Sequence, residues 1–279
     1  SVRAEPVEPP ATIGRLLTVT AEETGDFGEV TVTLTEKTGL LHADLSIGAN
    51  LTTAIALLSN ANISNRGHEL GSAGFIVSSE ESIFLGDGKV PGIERVIRDY
   101  RNGRDLTDTP RNVKVIDAFQ LSAEQLRSQF PSVYQWLLER VKPERDVNRM
   151  DSVRERWWLH RRLREDLRMM LAGIPRYIAT VETAKHRTFQ FLDASILPDN
   201  KLIAIALADA FHLGVLSSQA HGSYALAAGS WLGVGNDPVY VKSRCFETFP
   251  FPDADTGLTP ELRNRIASLA EQMDVHRKK

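Results

Sequence analysis

Two stretches in which apolar and polar residues alternate predict a β-hairpin near the start of the chain. Residues 15–20 and 29–34 are rich in β-branched side chains, and residues 24–28 between them have the composition of a turn. Two strands alone bury too little apolar surface to be stable. The hairpin is therefore not expected to form a complete domain.

The middle of the chain mixes short strands with helices. Residues 74–77 and 113–117 are short apolar runs that predict strands. Ser122 begins a helix through a Ser-x-x-Gln capping box. Pro131 begins a second helix, which is predicted to end near Pro143.

Basic residues lie together at a predicted turn. The strand-like runs 176–183 and 186–193 meet at Ala184 and Lys185, which places the Lys-His-Arg sequence at 185–187 at or beside a turn. Side chains in a turn reach a partner more easily than side chains at the centre of a strand.

The last part of the chain is rich in helix. Residues 202–206 predict a buried strand and residues 208–228 a single apolar helix. Thr259 and Pro260 begin a final amphipathic helix. Residues 229–252 form a long connector whose Trp, Tyr and Val content argues against disorder. The pattern predicts an α+β fold of mixed small sheets with a helix-rich C-terminal part.

The composition is that of an ordinary globular protein. The 279 residues are 42% hydrophobic and 25% charged, with a net charge of -3. The single cysteine, Cys245, excludes an intramolecular disulfide and a zinc site made of thiolates, which favours a reducing compartment. No apolar run reaches the length of a membrane helix. We therefore expect a cytoplasmic protein without membrane association.

One segment of this acidic chain is strongly basic. Residues 142–187 contain twelve Lys or Arg and seven Asp or Glu, which is a local charge of +5. Positive charge on one face can hold a polyanion, because phosphate neutralisation supplies most of the affinity for nucleic acids. A solvated helical face with internal salt bridges is the alternative explanation of the same pattern.

Motifs for catalysis and metal binding are absent from the sequence. The Gly-x-Gly at 233–235 has no preceding strand and no acidic partner, so it is not read as a nucleotide-binding loop. The seven histidines show no metal-ligand spacing, and no metal site is predicted. Ser217 and Ser218 lack the glycine frame of a nucleophile elbow.

Several ordered motifs carry a resemblance to a known family. They are GSAGFIV (71–77), YRNGRDL (100–106), VKPERD (141–146), PRYIAT (175–180), AKHR (184–187), LGVLSS (213–218) and FPFP (249–252). Together they resemble the C-terminal half of a bacterial single-chain DNA methyltransferase of the type II restriction-modification class. The resemblance spans nearly all of residues 40–279.

The resemblance implies a target recognition domain, which reads a short sequence in duplex DNA while a separate domain methylates a base, typically adenine N6. Full-length relatives carry a Phe-x-Gly-x-Gly loop for S-adenosylmethionine and a catalytic Asn-Pro-Pro-Tyr motif, and neither motif is present here. The chain itself is therefore expected to have no catalytic residues and no cofactor. Its parent is expected to be an S-adenosylmethionine-dependent enzyme, with endonuclease activity left open.

The same resemblance implies a division of the chain and its partners. Residues 1–60 are expected to be residual strands of a truncated methyltransferase domain, residues 61–230 the core of the target recognition domain, and residues 231–279 a base-reading loop and C-terminal helix. The expected partners are double-stranded DNA and the missing methyltransferase domain.

Candidate contact residues follow from the chemistry of DNA. Arg and Lys recognise guanine, Asn and Gln recognise adenine, and Asp and Glu recognise cytosine in the major groove. In relatives the segment just before the Phe-Pro motif resembles a base-reading loop. The predicted base-reading residues are Asn236, Asp237, Tyr240, Lys242, Arg244, Lys185, His186 and Arg187. The predicted phosphate-binding residues are Arg101, Arg104, Lys142 and Arg145.

Two other classes of function stay open at this point. The main alternative is a protein-interaction or scaffolding domain whose basic face pairs with an acidic partner. A small hydrolase with an unrecognised site is a weaker alternative, because no nucleophile and base come together in the sequence. Dependence of binding on duplex length and sequence would separate DNA recognition from scaffolding.

Overall fold

The chain divides once into compact units, between Ala54 and Ile55. The structure is a computed structural model that describes residues 12–24, 29–41, 51, 54–232 and 237–278. The divisions predicted from the sequence after residues 60 and 230 stay predictions. In the second unit the C-terminal helix packs on the same core as the central strands, so the contacts do not separate residues 231–279.

The first unit contains the predicted hairpin. Strands β1 (Thr12–Thr24) and β2 (Val30–Leu41) pair antiparallel, with Val19 opposite Leu34 and an irregularity between Val19 and Ala21. Alternation places Leu17, Val19, Val32 and Leu34 on one face, and their side chains are about half exposed. The hairpin is confirmed, and both strands are longer than the runs that predicted it.

The second unit contains the remaining strands and the helices. Its described strands are β3 (Ser64–Arg66), β4 (Ile76–Val77), β5 (Ile97–Arg101), β6 (Lys114–Ile116), β7 (Arg176–Val181), β8 (Phe189–Asp193), β9 (Leu197–Pro198), β10 (Leu202–Ile205), β11 (Ser230–Leu232) and β12 (Asp237–Val239). Its described helices are α1 (Ser79–Leu85), α2 (Gly103–Thr107), α3 (Ala123–Gln129), α4 (Pro131–Arg140), α5 (Lys142–Asp146), α6 (Asp151–Glu155), α7 (Glu165–Leu171), α8 (Ala210–Leu216), α9 (Gln219–Ala228), α10 (Lys242–Cys245) and α11 (Pro260–Arg277).

These strands form two four-stranded sheets and a small ribbon. The central sheet has the order β3-β10-β7-β8 and is antiparallel throughout. The second sheet has the order β4-β6-β5-β9, in which only β5 and β9 are parallel. Strands β11 and β12 pair with each other. The α+β class predicted from the sequence is confirmed.

The central sheet is covered by helices on both faces. Ile178 of β7 packs with Phe189, Ile203 and residues of α8, α9 and α11. Tyr177, its neighbour along the strand, packs on the opposite face with residues of α2 and α7. A strand buried on both faces is almost uniformly apolar, which explains why β7 and β10 appear in the sequence as continuous apolar runs.

A buried polar network connects the two sheets. Arg168 of α7 forms two hydrogen bonds to the Asp117 carboxylate, of 2.7 and 2.9 Å, just beyond the end of β6. His160 Nε2 lies 2.8 Å from the carbonyl oxygen of Ile116, and its ring is buried. Burial opposes ionisation of Asp117, but His160 and the Arg168 guanidinium outweigh it and hold the pKa of Asp117 at about 2. Burial also lowers the pKa values of His160 and His68.

Several predicted elements are confirmed. The capping box at Ser122 makes both of its hydrogen bonds, of 3.1 Å from Gln125 N and 2.8 Å to Gln125 Oε1. Thr259 caps α11 through Leu262 N. The strands predicted at 113–117 and 202–206 are β6 and β10.

Other predicted elements differ in the structure. The helix that begins at Pro131 ends at Arg140, and Pro143 lies in the first turn of α5, where proline is tolerated. The apolar run 208–228 is two helices, because the Ser218 side chain caps a new helix. The first half of the run 74–77 belongs to a tight helical turn, and the second half is the two-residue strand β4. The connector 229–252 contains β11, β12 and α10.

Gly214 lets α8 and α11 approach closely. A Cβ atom there would lie 2.6 Å from Ile266 Cγ2 and 3.3 Å from Ala270 Cβ. We expect Gly214→Ala to lower the free energy of unfolding by about 1–3 kcal/mol, because the added methyl forces the helices apart. Urea unfolding followed by circular dichroism measures this loss, and an unchanged midpoint would contradict the close contact.

Gly222 of α9 provides the matched control for the Gly214→Ala substitution. Among the described residues, no atom lies within 4 Å of the position that a Cβ would take there. Because glycine destabilises a helix interior relative to alanine, Gly222→Ala should raise the free energy of unfolding by roughly 0.5–1 kcal/mol.

Candidate nucleic-acid interface

The loop between β7 and β8 is held by main-chain hydrogen bonds to the strand β12. Tyr240 N donates to Glu182 O at 2.7 Å, and Ala184 N donates to Pro238 O at 3.3 Å. Thr183 also forms an isolated bridge with Val239. The two segments predicted separately to read bases, around residues 185 and 237, are therefore adjacent in the fold.

Arg187 braces this loop from inside. Its guanidinium donates to Val181 O and lies 5.0 Å from the centre of the Tyr240 ring. Tyr240 in turn shares a 3.0 Å hydrogen bond with His221 Nε2. Burial lowers the pKa of His221 to about 4, and the charge of Arg187 acts in the same direction. These three side chains support the loop from below.

Lys185 and His186 form the exposed tip of the loop. Within the part of the chain that the structure describes, neither side chain takes part in a hydrogen bond or an ion pair. Arg104 of α2 is likewise exposed, and its side chain has no ionic partner among the described residues. Lys185 and Arg104 therefore carry positive charge that no carboxylate of the described residues neutralises.

A cleft of about 640 Å³ lies on one side of the tip. Three cationic side chains line it, namely Arg104, Lys185 and Arg277. Thr107 and Thr188 add hydroxyl groups to its lining. The combination of guanidinium, ammonium and hydroxyl donors suits phosphate oxygens.

A second cleft, of about 450 Å³, lies on the other side of the tip. Residues 184–187 form one wall, and Gln219, Ser223 and Leu226 of α9 belong to the other. Pro238 and Val239 of β12 complete the lining. Its cationic lining residues are Lys185 and Arg187, one fewer than in the first cleft.

The structure separates the predicted base-reading residues into groups. Lys185 and His186 are exposed at the tip, and Asp237 is exposed at the start of β12. Arg244 is exposed on α10. Lys242 pairs with Glu247 at 2.5 Å. Asn236 lies outside the described residues.

Two predicted base readers are instead internal supports. Tyr240 is only 2% exposed, and its hydroxyl is engaged by His221. Arg187 is partly buried, and its donors are directed to carbonyl oxygens of the protein. The prediction is corrected for both, because their polar atoms are used within the fold and are not offered to a partner.

The predicted phosphate-binding residues do not form one site. Arg104 lies at the cationic cleft, whereas Arg101 donates to Tyr100 O and to Asn112 Oδ1. Lys142 pairs with Asp146 at 2.6 Å, one helical turn away. Arg145 is 1% exposed and donates to Leu70 O at 2.6 Å, which corrects its assignment to phosphates.

The basic segment 142–187 does not present all of its charge to a partner. Six of its twelve Lys and Arg side chains form ion pairs with carboxylates of the fold; they are Lys142, Arg154, Arg161, Arg162, Arg168 and Arg176. The pairing corrects the expectation of a single basic face. The alternative of internal salt bridges describes half of these side chains, whereas Lys185 at the tip is exposed and has no ionic partner among the described residues.

Sequence reasoning missed Arg277 and Gln219. Arg277 lies in the last turn of α11, ninety-two residues after Lys185, and reaches the cleft while Nη1 donates to Phe189 O at 2.6 Å. Gln219 is the first residue of α9, inside the run interpreted as one apolar helix. No local pattern marks either residue, because only the folded chain brings them to the tip.

Searches of the described residues for two other kinds of site give negative findings. No group of three or more His, Cys, Asp or Glu side chains is arranged to hold a metal ion there. In the same residues, no helix combines the length and the apolar character needed to cross a membrane.

The fold is similar to part of a solved restriction-modification enzyme. No protein-family model and no curated protein matches this sequence. The Type IIL restriction-modification enzyme MmeI, whose structure was solved in complex with DNA, superposes with a TM-score of 0.64 and 16% sequence identity. The match covers 86% of this chain and 31% of the MmeI chain. This chain thus spans about a third of the length of that enzyme, and the expected relation to restriction-modification enzymes is confirmed for the fold.

Proposed function

We propose that this chain recognises a short sequence in double-stranded DNA as part of a restriction-modification enzyme. The observation that carries the proposal is the joining of β12 to the β7–β8 loop beside Lys185 and His186. The similarity of its fold to MmeI, an enzyme whose structure contains DNA, supports the same function.

The cationic cleft is the proposed contact with the DNA backbone. Arg104, Lys185 and Arg277 line it, and none of the described lining residues is acidic. Phosphate contacts fix the position of a protein on a duplex without reading its sequence. Arg104 and Arg277, which line the same cleft beside the loop tip, are assigned to this role.

The exposed tip is the proposed contact with base edges. Lys185 and His186 can donate to guanine, and Asp237 can accept from cytosine. The loop is anchored to buried strands and to β12, which holds these side chains in place as a reading surface requires. Arg244 on the exposed side of α10 is assigned to the same role.

Methyl transfer is assigned to a separate domain. Extruding a base from duplex DNA costs a few kcal/mol, so an enzyme that modifies a base needs a further surface that grips the flanking duplex. In this proposal the present chain supplies that surface. A methyltransferase domain is the second partner, which would bind S-adenosylmethionine and act on adenine N6.

The first experiment is selection from a pool of randomised short duplexes, with sequencing of what the purified chain retains. Enrichment of a motif of several base pairs is expected, with affinity that falls as salt rises. Equal binding to all duplex sequences would overturn the proposal. Binding to an acidic protein partner but to no duplex would overturn it in favour of a scaffolding function.

Substitutions at the tip should separate the two kinds of contact. Arg104→Gln should weaken binding to all duplexes alike and reduce the slope of log K against log salt by about one, since one phosphate contact is lost. Lys185→Gln should weaken binding of the selected duplex by roughly 5- to 150-fold and relax the preference at one position. Fluorescence anisotropy at several salt concentrations measures both effects.

Arg149→Gln is the matched control. Arg149 is exposed and does not line either cleft. Its removal changes the net charge as Arg104→Gln does, without touching the proposed contact. Equal losses from both variants would show that only overall charge matters.

A further inference from the structure

Gly222 occupies a helical position that does not require glycine. It is the fourth residue of α9, and no described atom lies within 4 Å of the position that its Cβ would take. Its φ is not positive, so the backbone does not demand glycine either. Since glycine in a helix interior is less stable than alanine, the fold gains nothing from this residue.

Gly222 belongs to a stripe that faces a cleft. Gln219, Gly222, Ser223 and Leu226 are spaced three and four residues apart and therefore share one side of α9. All four line the cleft of about 450 Å³ whose opposite wall is residues 184–187. The opposite side of the helix carries the buried residues His221 and Ala228.

The helix is held firmly against the core. Ser218 caps it by accepting a 3.3 Å hydrogen bond from His221 N, and His221 is fully buried. The His221 ring contacts Phe249 and is hydrogen-bonded to Tyr240, which supports the β7–β8 loop. Both walls of the cleft therefore share one set of buried supports.

The lining of this cleft suits a base edge better than a phosphate. The amide of Gln219 and the hydroxyl of Ser223 lie among apolar side chains, including Leu226 and Val239. This cleft is also lined by Lys185 and Arg187, but the Arg187 guanidinium donates to carbonyl oxygens of the fold. The other cleft contains three cationic residues and is the better site for the backbone. A glutamine amide matches the N6 and N7 atoms of adenine with two hydrogen bonds.

We infer that α9 is a second DNA-reading element, in which Gln219 recognises an adenine and Gly222 leaves room for the base edge to approach. The inference rests on the proposed function, because it assigns further contacts to the same duplex. A duplex lying over the loop tip would place its backbone at the cationic cleft and base edges at α9. The bare backbone at Gly222 is the feature that permits close approach.

The test compares leucine at two positions of the same helix. Gly222→Leu fills the cleft, whereas Ala227→Leu adds the same side chain to an exposed position outside both clefts. Gly222→Leu should weaken binding of the selected duplex by roughly tenfold or more, because the base edge is excluded. Its melting temperature should not fall, and replacement by alanine should raise it by roughly 2 °C. Ala227→Leu should bind as the unchanged chain does.

Gln219→Ala provides a second test, which removes a hydrogen-bonding side chain and adds no bulk to the cleft. Repeating the duplex selection with this variant should relax the preference at one adenine position and leave the other positions unchanged.

The possible results separate the two proposals. If the unchanged chain retains no duplex, the proposed function fails and this inference fails with it. If it retains a duplex that Gly222→Leu binds equally well, or Gln219→Ala selects the same motif, only the role of α9 is overturned.

Discussion

Arg168→Met should lower the free energy of unfolding by about 3–5 kcal/mol, the largest effect expected of any substitution considered for this chain. Asp117 is 4% exposed and receives two hydrogen bonds from the Arg168 guanidinium. The variant leaves this carboxylate buried without its main cation. Methionine retains much of the aliphatic packing of Arg168, so the loss reports mainly on charge.

The double variant Asp117→Leu with Arg168→Met is the informative comparison. It removes both charges from the interior, and a buried ion pair replaced by apolar residues is often close to neutral in stability. Urea unfolding at neutral pH should therefore show much of the loss recovered in the double variant.

A surface pair provides the control for Arg168. Arg162 lies 3.2 Å from Glu69, and its side chain is 66% exposed. Arg162→Met should change the free energy of unfolding by less than about 1 kcal/mol. If Arg168→Met costs no more than this control, the Asp117 network is not buried in solution.

Stability should fall by roughly 3 kcal/mol through His221 alone as the pH is lowered from 6.5 to 4. Burial lowers the pKa of His221 from 6.5 to about 4. Between these values the unfolded chain binds a proton that the folded chain excludes, so acid favours unfolding. Above pH 6.5 both states are neutral at this site, and the full stability is present.

Two other buried histidines act in the same direction. Burial lowers the pKa values of His68 and His160, so each adds to the loss of stability below pH 6.5. Asp117 affects stability only at lower pH, because its carboxylate stays ionised in the folded state until the pH reaches about 2. Its contribution to stability is lost as the pH falls from about 3.8 toward 2.

Urea unfolding at several pH values between 4 and 6.5 measures this dependence. His221→Gln should reduce the slope of the unfolding free energy against pH by about 1.4 kcal/mol per pH unit, the value for one proton. The slope is the readout, because the variant also loses stability at neutral pH. Identical slopes for His221→Gln and the unchanged chain would contradict the prediction.

His221 also connects stability with the support of the proposed DNA contact. Its ring supports Tyr240, and Tyr240 N holds the β7–β8 loop through Glu182 O. Protonation of His221 places a charge beside Arg187 in a buried site. If the chain binds DNA as proposed, its affinity in acid is therefore expected to fall as this support is lost.

Local patterns in the sequence determined much of the secondary structure. The hairpin, the capping box at Ser122 and the start of α11 at Pro260 depend on residues within a few positions of one another. The α+β class follows from the same local preferences. The apolar pattern of residues 208–228 predicted one helix. In the structure the Ser218 side chain caps a new helix within this run, so the run is divided into α8 and α9.

Charge patterns were less informative, since they do not show the partner of each charge. Arg176 pairs with Glu271, ninety-five residues away, and Arg161 with Glu69. Arg145 is buried against Leu70 O. A local count of basic residues cannot distinguish these from the exposed Lys185, because the neutralising groups come from distant parts of the chain.

The sequence by itself determined the hairpin, the main strands and helices, the α+β class and the position of residues 185–187 between two strands. Only the tertiary structure decided which charges are free to bind. It brought Arg104, Arg277 and Gln219 to the tip at Lys185 from three separate elements. The reason is physical: secondary structure depends on neighbouring residues, whereas exposure and ion pairing depend on contacts between residues far apart in the chain.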